Sequence, residues 1–313
     1  MMTGTGTQQD PFIFGSFIEL IEMQLEDSSY TNYYEYGGTV TEENLDDYGG
    51  EPLADSIEFK GYIDFKGLTI LNLRTTNVYP IILHGKLSNV SFKNVIWTAT
   101  GNRMSFMGYG NNDDDFKGLY NVSVYCNINT NLTGTDSRWC FLDVYQNTEP
   151  IDKCVFKIAG RLTVVGSYSI GGTPRVINHG GVVSDTNIQF DNFTFAKNSG
   201  NGTFLIVNRT VSPIAIAMIG CYIGGKLIFD GGNDYALTFQ LDTTYATVTQ
   251  TVIDLETDAT ISKTTKGLVL FNSTKAPNFV ADATNGLIGA TDEQMHSATD
   301  LQALGFPCYE VTS

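Results

Sequence analysis

Asn89-Val90-Ser91-Phe92 and Asn121-Val122-Ser123-Val124 carry one pattern twice, 32 residues apart. In each, an asparagine precedes two apolar residues separated by one polar residue, the period-two signature of a strand with one buried face. The pattern continues through Cys154/Phe156, Ile188/Phe190, Ile219/Cys221 and Ile253/Leu255, so the series starting at Val90/Phe92 advances by 32, 32, 34, 31 and 34 residues. A second series, Leu162/Val164, Phe193/Phe195, Leu227/Phe229 and Ala259/Ile261, advances by 31, 34 and 32. A third, Phe204/Ile206, Leu237/Phe239 and Leu268/Leu270, advances by 33 and 31.

Three short strands repeating at nearly one spacing predict an all-β body over residues 57–288. The fold expected is a single-stranded right-handed parallel β-helix, a solenoid of six to seven turns of about 32 residues each. Helical repeats of this period need two amphipathic helices per unit, and the body is instead rich in Val, Ile, Phe, Thr and Asn and broken by Gly. A propeller blade needs about 40–50 residues, more than the spacing provides. Asn89 and Asn121 then fall at equivalent corners.

Charge divides the chain. The 313 residues carry 18 Lys+Arg against 34 Asp+Glu, a formal charge of −16 and a sequence pI near 4.4. No Lys, Arg or His precedes Lys60, yet 13 acids lie in residues 1–59, leaving 21 acids against 18 bases in the rest. We therefore place a boundary at residue 56. Hydrophobic residues at 42% argue against a disordered chain. The acidity argues against a nucleic-acid partner, and the lack of a long apolar run argues against a membrane one. The amino-terminal ten residues have neither the basic nor the apolar region of a signal peptide.

Residues 1–56 are more than an acidic tail. Phe12, Ile13, Phe14, Phe17, Ile18, Leu20, Ile21, Met23 and Leu25 form an apolar cluster, and Ser16 with Glu19 has the spacing that starts a helix over about 17–26. Tyr30, Tyr33, Tyr34, Tyr36 and Tyr48 follow, between glycine pairs. Such a segment orders against a surface, either as a cap on the first layer of the body or as a dock for a partner. The partner-docking candidates are Phe12, Ile13, Phe14, Phe17, Ile18, Tyr30, Tyr33, Tyr34 and Tyr36.

At the other end, Thr291-Asp292-Glu293-Gln294 has the capping-box pattern, Ala298–Leu304 reads as helix, and Gly305 and Pro307 end it. Residues 289–313 are expected to form a C-terminal cap. The run Thr299-Asp300-Leu301-Gln302-Ala303-Leu304-Gly305-Phe306-Pro307 resembles the closing segment of β-helix proteins of bacteriophages and gut Bacteroidota. That resemblance implies a phage virion β-helix, of the head-fibre, tail-fibre or tailspike-like kind, and the Bacteroidota flavour points to a crAss-like phage. It implies a structural protein made in the bacterial host cytoplasm and carried in the virion. Such a protein would be anchored to capsid or tail proteins, assembled as a trimer or dimer, and a host-surface glycan is a further expected ligand. The alternative it leaves open is a polysaccharide-degrading enzyme, a phage depolymerase or lyase.

No catalytic, cofactor or metal site is expected from the residues. Five cysteines (Cys126, Cys140, Cys154, Cys221, Cys308) contain no Cys-x-x-Cys, and Cys154 and Cys221 fall at inward positions as reduced core residues. Asn-x-Ser/Thr occurs at Asn89, Asn121, Asn131, Asn192, Asn201, Asn208 and Asn272, read here as corner chemistry rather than glycan acceptors. Of His84, His179 and His296, His179 resembles a polygalacturonase element, but the aspartates and Arg-x-Lys that should accompany it are missing, so it is read as a turn histidine. Asp113-Asp114-Asp115 reads as a solvated loop, and Asp136 with Arg138 as a surface pair. Arg103, Arg138, Arg161 and Arg175 lack the acid one turn away that a lyase base needs. Phosphate-binding loops, nucleophile elbows and His-Glu-x-x-His are all missing. Trp97, Trp139 and Tyr235 are the aromatics that would stack on sugar if exposed, though packing is the expected role.

Overall fold

The computed structural model describes residues 3–108, 115–134, 137–144, 147–165, 174–197, 202–209, 216–231, 235–241, 247–261 and 267–306. Alternation builds its longest strands: in Ile57–Leu71 the side chains of Ile57, Phe59, Ile63 and Phe65 are buried, while Glu58, Lys60 and Asp64 between them reach solvent. The chain is mostly β, and its strand ladders are parallel.

The largest stack holds eleven strands. Phe12–Phe14 and Tyr33–Tyr36 lead into Ile57–Leu71, Ile81–Gly101, Gly118–Leu132 and Val155–Val164. Asn187–Lys197, Tyr222–Asp230, Thr251–Glu256, Val269–Asn272 and Leu287–Ala290 complete it. A second stack runs Arg103–Met107, Arg138–Val144, Arg175–His179, Gly202–Arg209, Tyr235–Leu241 and Thr260–Ile261. A third, of short strands, runs Ile151–Asp152, Val183–Ser184, Ile216–Ile219 and Thr247–Thr249.

Register follows the repeat at first and then departs from it. Val90 faces Val122 and Phe92 faces Val124, as the spacing predicts. Phe156, however, faces Ile188 rather than Phe190, and Ile188 faces Ile223 rather than Ile219. Ile223 in turn faces Ile253. Leu270, expected in the third series, faces Val252 in the first stack, a step of 18 residues, and Leu270 to Ile288 is another 18.

Corners explain the asparagines. Ser88, Tyr120, Asp152, Ser184, Ile219 and Thr249 face one another in order, and the residue after each is left-handed. Those residues are Asn89, Asn121, Lys153, Asp185, Gly220 and Gln250, with φ between 45° and 64°. Glycine, asparagine and aspartate tolerate that region best, which is why Asn89 and Asn121 were visible in the sequence. Close approach also selects glycine at Gly85, where a Cβ would overlap the carbonyl oxygen of Gly61 on the neighbouring strand.

The core is one continuous cluster from Phe14 and Phe17 to Phe271 and Phe279. Its centre is an aromatic stack, with Trp97 to Trp139 at 6.1 Å and Phe106 to Phe141 at 5.2 Å between centroids. At the amino end, helix α1 (Phe17–Glu26) turns Phe17, Leu20 and Met23 onto this core, and Thr3 pairs antiparallel with Ile13 along the outer edge of the first strand. At the carboxyl end, Ala276 and Phe279 join the core and Asp282 pairs antiparallel with Leu287. Helices α2 (Asp292–Met295) and α3 (Ala298–Ala303) follow, and α2 has the capping box seen in the sequence. Met295, Leu301 and Phe306 form a separate cluster with Val252, Leu270 and Ala290, so these helices cover the outer flank of the last strands rather than the end of the main core.

Candidate attachment surface and the polar clusters

Strand pairing and helix capping decide where the docking candidates point. Ser16 caps α1 by accepting from Glu19 N at 3.1 Å, and Glu43 closes the same end, its carboxylate accepting from Phe17 N at 2.9 and 3.1 Å. Burial pushes the Glu43 carboxyl up, opposed by that backbone bond. At the other end of α1, Lys60 Nζ donates to the carbonyls of Gln24 (3.1 Å) and Asp27 (3.2 Å), a cation at a helix C-terminus. Burial raises the Asp27 carboxyl, but bonds from Tyr34, Ser29 and Asn32 and the Lys60 charge outweigh it and hold the group below its ordinary value.

Of the nine candidates, Phe14, Phe17, Tyr34 and Tyr36 lie in the core, with Phe14 5.4 Å from Phe65 and Phe17 6.1 Å from Phe92. Their burial takes them out of reach of a partner. Phe12 and Ile18 are half-buried against the core, and Ile13 and Tyr33 are partly open, with Tyr33 stacked flat on Tyr62 at 4.5 Å. Tyr30 is exposed beside His84, at 5.3 Å. The docking candidates leave out the more exposed apolar groups: Leu25 and Tyr48, which the sequence places in its apolar and tyrosine runs, are 81% and 55% exposed, and Val40 is 49% exposed. Leu25, Tyr30, Val40 and Tyr48 make up half of the eight exposed large apolar side chains among the described residues, within the first 56 positions.

Acids surround them. Glu22, Glu26, Glu42, Asp47, Glu51, Asp55 and Glu58 are exposed. Bases reach some of the acids at this end: Asp46 meets Arg74 at 3.0 Å, Glu35 meets Lys66 at 3.1 Å, and Glu58 meets Lys60 at 3.6 Å. The outer surface here is therefore negative and dotted with apolar groups, a composition that suits a basic partner surface.

Two polar clusters lie elsewhere. In the second stack, Arg138 Nη2 and the Asn178 amide both donate to Asp143 Oδ1, at 3.0 and 2.5 Å, and Arg175 Nη1 donates to Asn178 Oδ1 at 3.3 Å. Asp143, Arg175 and Asn178 are buried and the cluster braces two strands; its arginines stay protonated at any ordinary pH and so cannot themselves act as bases. His179, expected in a turn, instead ends a strand and is buried, its ring 6.2 Å from Phe116. Arg161 meets Asp230 on the surface at 2.7 Å.

Near the carboxyl end, Asn272 Nδ2 donates to both Asp254 and Asp292, each at 2.7 Å. Lys275 Nζ lies 2.9 Å from Asp254 and 3.2 Å from Asp292, and Tyr222 Oη donates to Asp254 at 2.9 Å. Bonds from Asn272 and Lys275 hold the Asp292 carboxyl below its ordinary value. The cluster buckles α2 to the sheet, a role for Asp292 that its capping-box position did not disclose.

Trp97 and Trp139 are fully buried and so offer no sugar platform, and the side chain of Tyr235 lies outside the described residues. Cys126, Cys140, Cys154 and Cys221 are free and buried, and burial pushes the Cys140, Cys154 and Cys221 thiols up to about 12. Asp113, Asp114, Asp136, Asn201, Pro307 and Cys308 lie outside the described residues. Among the described residues, no group of three or more His, Cys, Asp or Glu could hold a metal ion, and no helix is long and apolar enough to cross a membrane. Comparisons with protein-family models, curated proteins and solved structures find no match to this chain.

Proposed function

We propose that the chain is a structural protein of a bacteriophage virion, of the head-fibre, tail-fibre or tailspike-like kind. Its body is a right-handed parallel β-helix, made in the bacterial host cytoplasm and seated by its acidic amino end on a basic capsid or tail surface. The body projects outward as a rigid rod for adhesion to a host-surface glycan, and self-associates along its length as a trimer or dimer. The crAss-like phages are the source the closing segment suggests. Register steps near 32 residues in parallel ladders support the β-helix.

The observation that carries the attachment is the concentration of Leu25, Tyr30, Val40 and Tyr48 among exposed acids at one end. Deleting residues 1–56 is a poor test, because it removes Phe14, Phe17 and Tyr34 from the core. The better one reverses Glu22 and Glu26 to Lys and replaces Leu25 and Tyr48 by Ser. Copies per particle are then counted by mass spectrometry of purified virions. The reading expects wild-type chain in the virion and loss of the folded variant; absence of the wild type, or full retention of the variant, overturns it.

A further inference from the structure

Ile96 and Tyr125 are the two exposed large apolar side chains of the long central strands, 43% and 36% exposed. They line one groove of about 420 Å³ on the outward face of the largest stack, a volume within the range of small-molecule sites. Ile96 faces Asn127 in register, and Tyr125 lies two residues earlier on the same side. Tyr125 faces Lys157, whose Nζ lies 3.6 Å from Asp191 on the next strand. Asn94, left-handed at φ 54°, stands at the rim where the register slips between Phe92 and Val95. That slip opens the groove, since the extra residue bends its strand away from its neighbour.

The lining defines the ligand. A phenol ring and an aliphatic side chain offer an apolar platform, and three asparagines (Asn72, Asn94 and Asn127) and an ion pair offer donors and acceptors beside it. Lys157 and Asp191 cancel, so the groove carries no net charge for an anionic ligand to seek. It crosses four successive strands, a run of about 14 Å at the usual strand spacing, so it takes an extended molecule. The ligand that presents apolar C–H faces, a rim of hydroxyls, no charge and linear extension is a neutral or N-acetylated hexose chain.

We propose that this groove binds an interior stretch of an uncharged linear glycan, with Tyr125 as the stacking residue and Asn94, Asn127 and the Lys157–Asp191 pair as hydroxyl partners. The inference deepens the adhesive part of the proposed function by naming the glycan class, and it does not depend on the attachment end. The test is titration calorimetry with saturation-transfer NMR on the full chain, using maltohexaose, chitohexaose and hexagalacturonate as probes. Binding of maltohexaose or chitohexaose is expected, weakened about tenfold or more by Tyr125→Ala and by Asn127→Ala, as truncation of an aromatic anchor typically does. Melting curves confirm that these surface variants remain folded, and Tyr48→Ala at the attachment end should leave the affinity unchanged. Binding of hexagalacturonate alone, binding of none of the three, or wild-type affinity in Tyr125→Ala each overturns the proposal. Normal virion incorporation alongside any of those outcomes sinks the glycan site and leaves the attachment reading standing.

Discussion

Asn121 Nδ2 donates to Asn89 Oδ1 at 2.9 Å, from one left-handed corner to the corresponding corner of the neighbouring strand. Asn89 in turn donates to Asp64 Oδ1, also at 2.9 Å, so a short ladder of side chains, two amides and a carboxylate, runs across three strands. Each asparagine does two jobs: it relieves the left-handed backbone and ties its turn to the next. Replacing Asn121 by Ala should destabilise the protein by about 1–3 kcal/mol, the sum of a lost hydrogen bond and a left-handed non-glycine. Asn121→Gly should cost less, because it removes only the bond, and urea unfolding of both variants separates the two contributions.

Gly85 stacks on Gly61, and Gly61 stacks on the backbone of Asn32. A methyl group at residue 85 has nowhere to go except into the neighbouring strand. Gly85→Ala should therefore destabilise by several kcal/mol or prevent folding, while the same change at Gly67, where nothing lies within 4 Å and only the left-handed φ of +91° opposes a side chain, should cost about 1–2 kcal/mol. Thermal melts of the two variants side by side give the comparison.

Glu43 is a buried carboxyl whose folded pKa is raised, chiefly by desolvation. Its contribution to stability is present below the unfolded pKa and is lost as pH rises through the folded one. Glu43→Gln keeps an oxygen to accept from Phe17 N and cannot ionise. The stability of the variant relative to wild type should improve between pH 4 and pH 7, and a flat difference across that range would contradict the assignment.

Asp27 behaves in the opposite sense. Its folded pKa is lowered, since the bonds from Tyr34, Ser29 and Asn32 and the Lys60 charge outweigh burial. The stability it supplies is present above the unfolded pKa and is lost as pH falls through the folded value. Asp27→Asn should make the unfolding free energy less steep below pH 4, measured by acid titration of the far-ultraviolet dichroism.

Cys126, Cys140, Cys154 and Cys221 should resist an aromatic disulfide reagent in the native state, because burial keeps them as thiols away from solvent. In a Cys308→Ser background, rapid reaction before unfolding would show that one of these four is accessible. Reaction of all four on adding urea is the expected outcome.

The sequence disclosed those features that leave a mark at fixed spacing. Asn89 and Asn121 were legible as one corner because a left-handed residue narrows the choice of side chain. At Phe156 the register was misread by two residues, because alternation repeats every two residues and Ile188 and Phe190 both face inward. At the amino end, composition averages over two faces: Phe14, Tyr34 and Tyr36 turn inward while their acidic neighbours turn out. The charge break therefore stood out, and the pairing of Tyr33 with Tyr62 across it did not. The groove beside Tyr125 depends on four neighbouring strands, and no local motif records it.

Both outer edges of the largest stack are taken up by the chain's own backbone, by Thr3 against Ile13 and by Asp282 against Leu287. At those two bridges the edge hydrogen-bonding groups are already occupied, which leaves less free backbone there for another chain to pair with. Eleven strands at the usual spacing span about 50 Å across that stack. The span of the stack follows from how many strands the sequence supplies, so adding or removing a strand changes it in steps of about 4.8 Å.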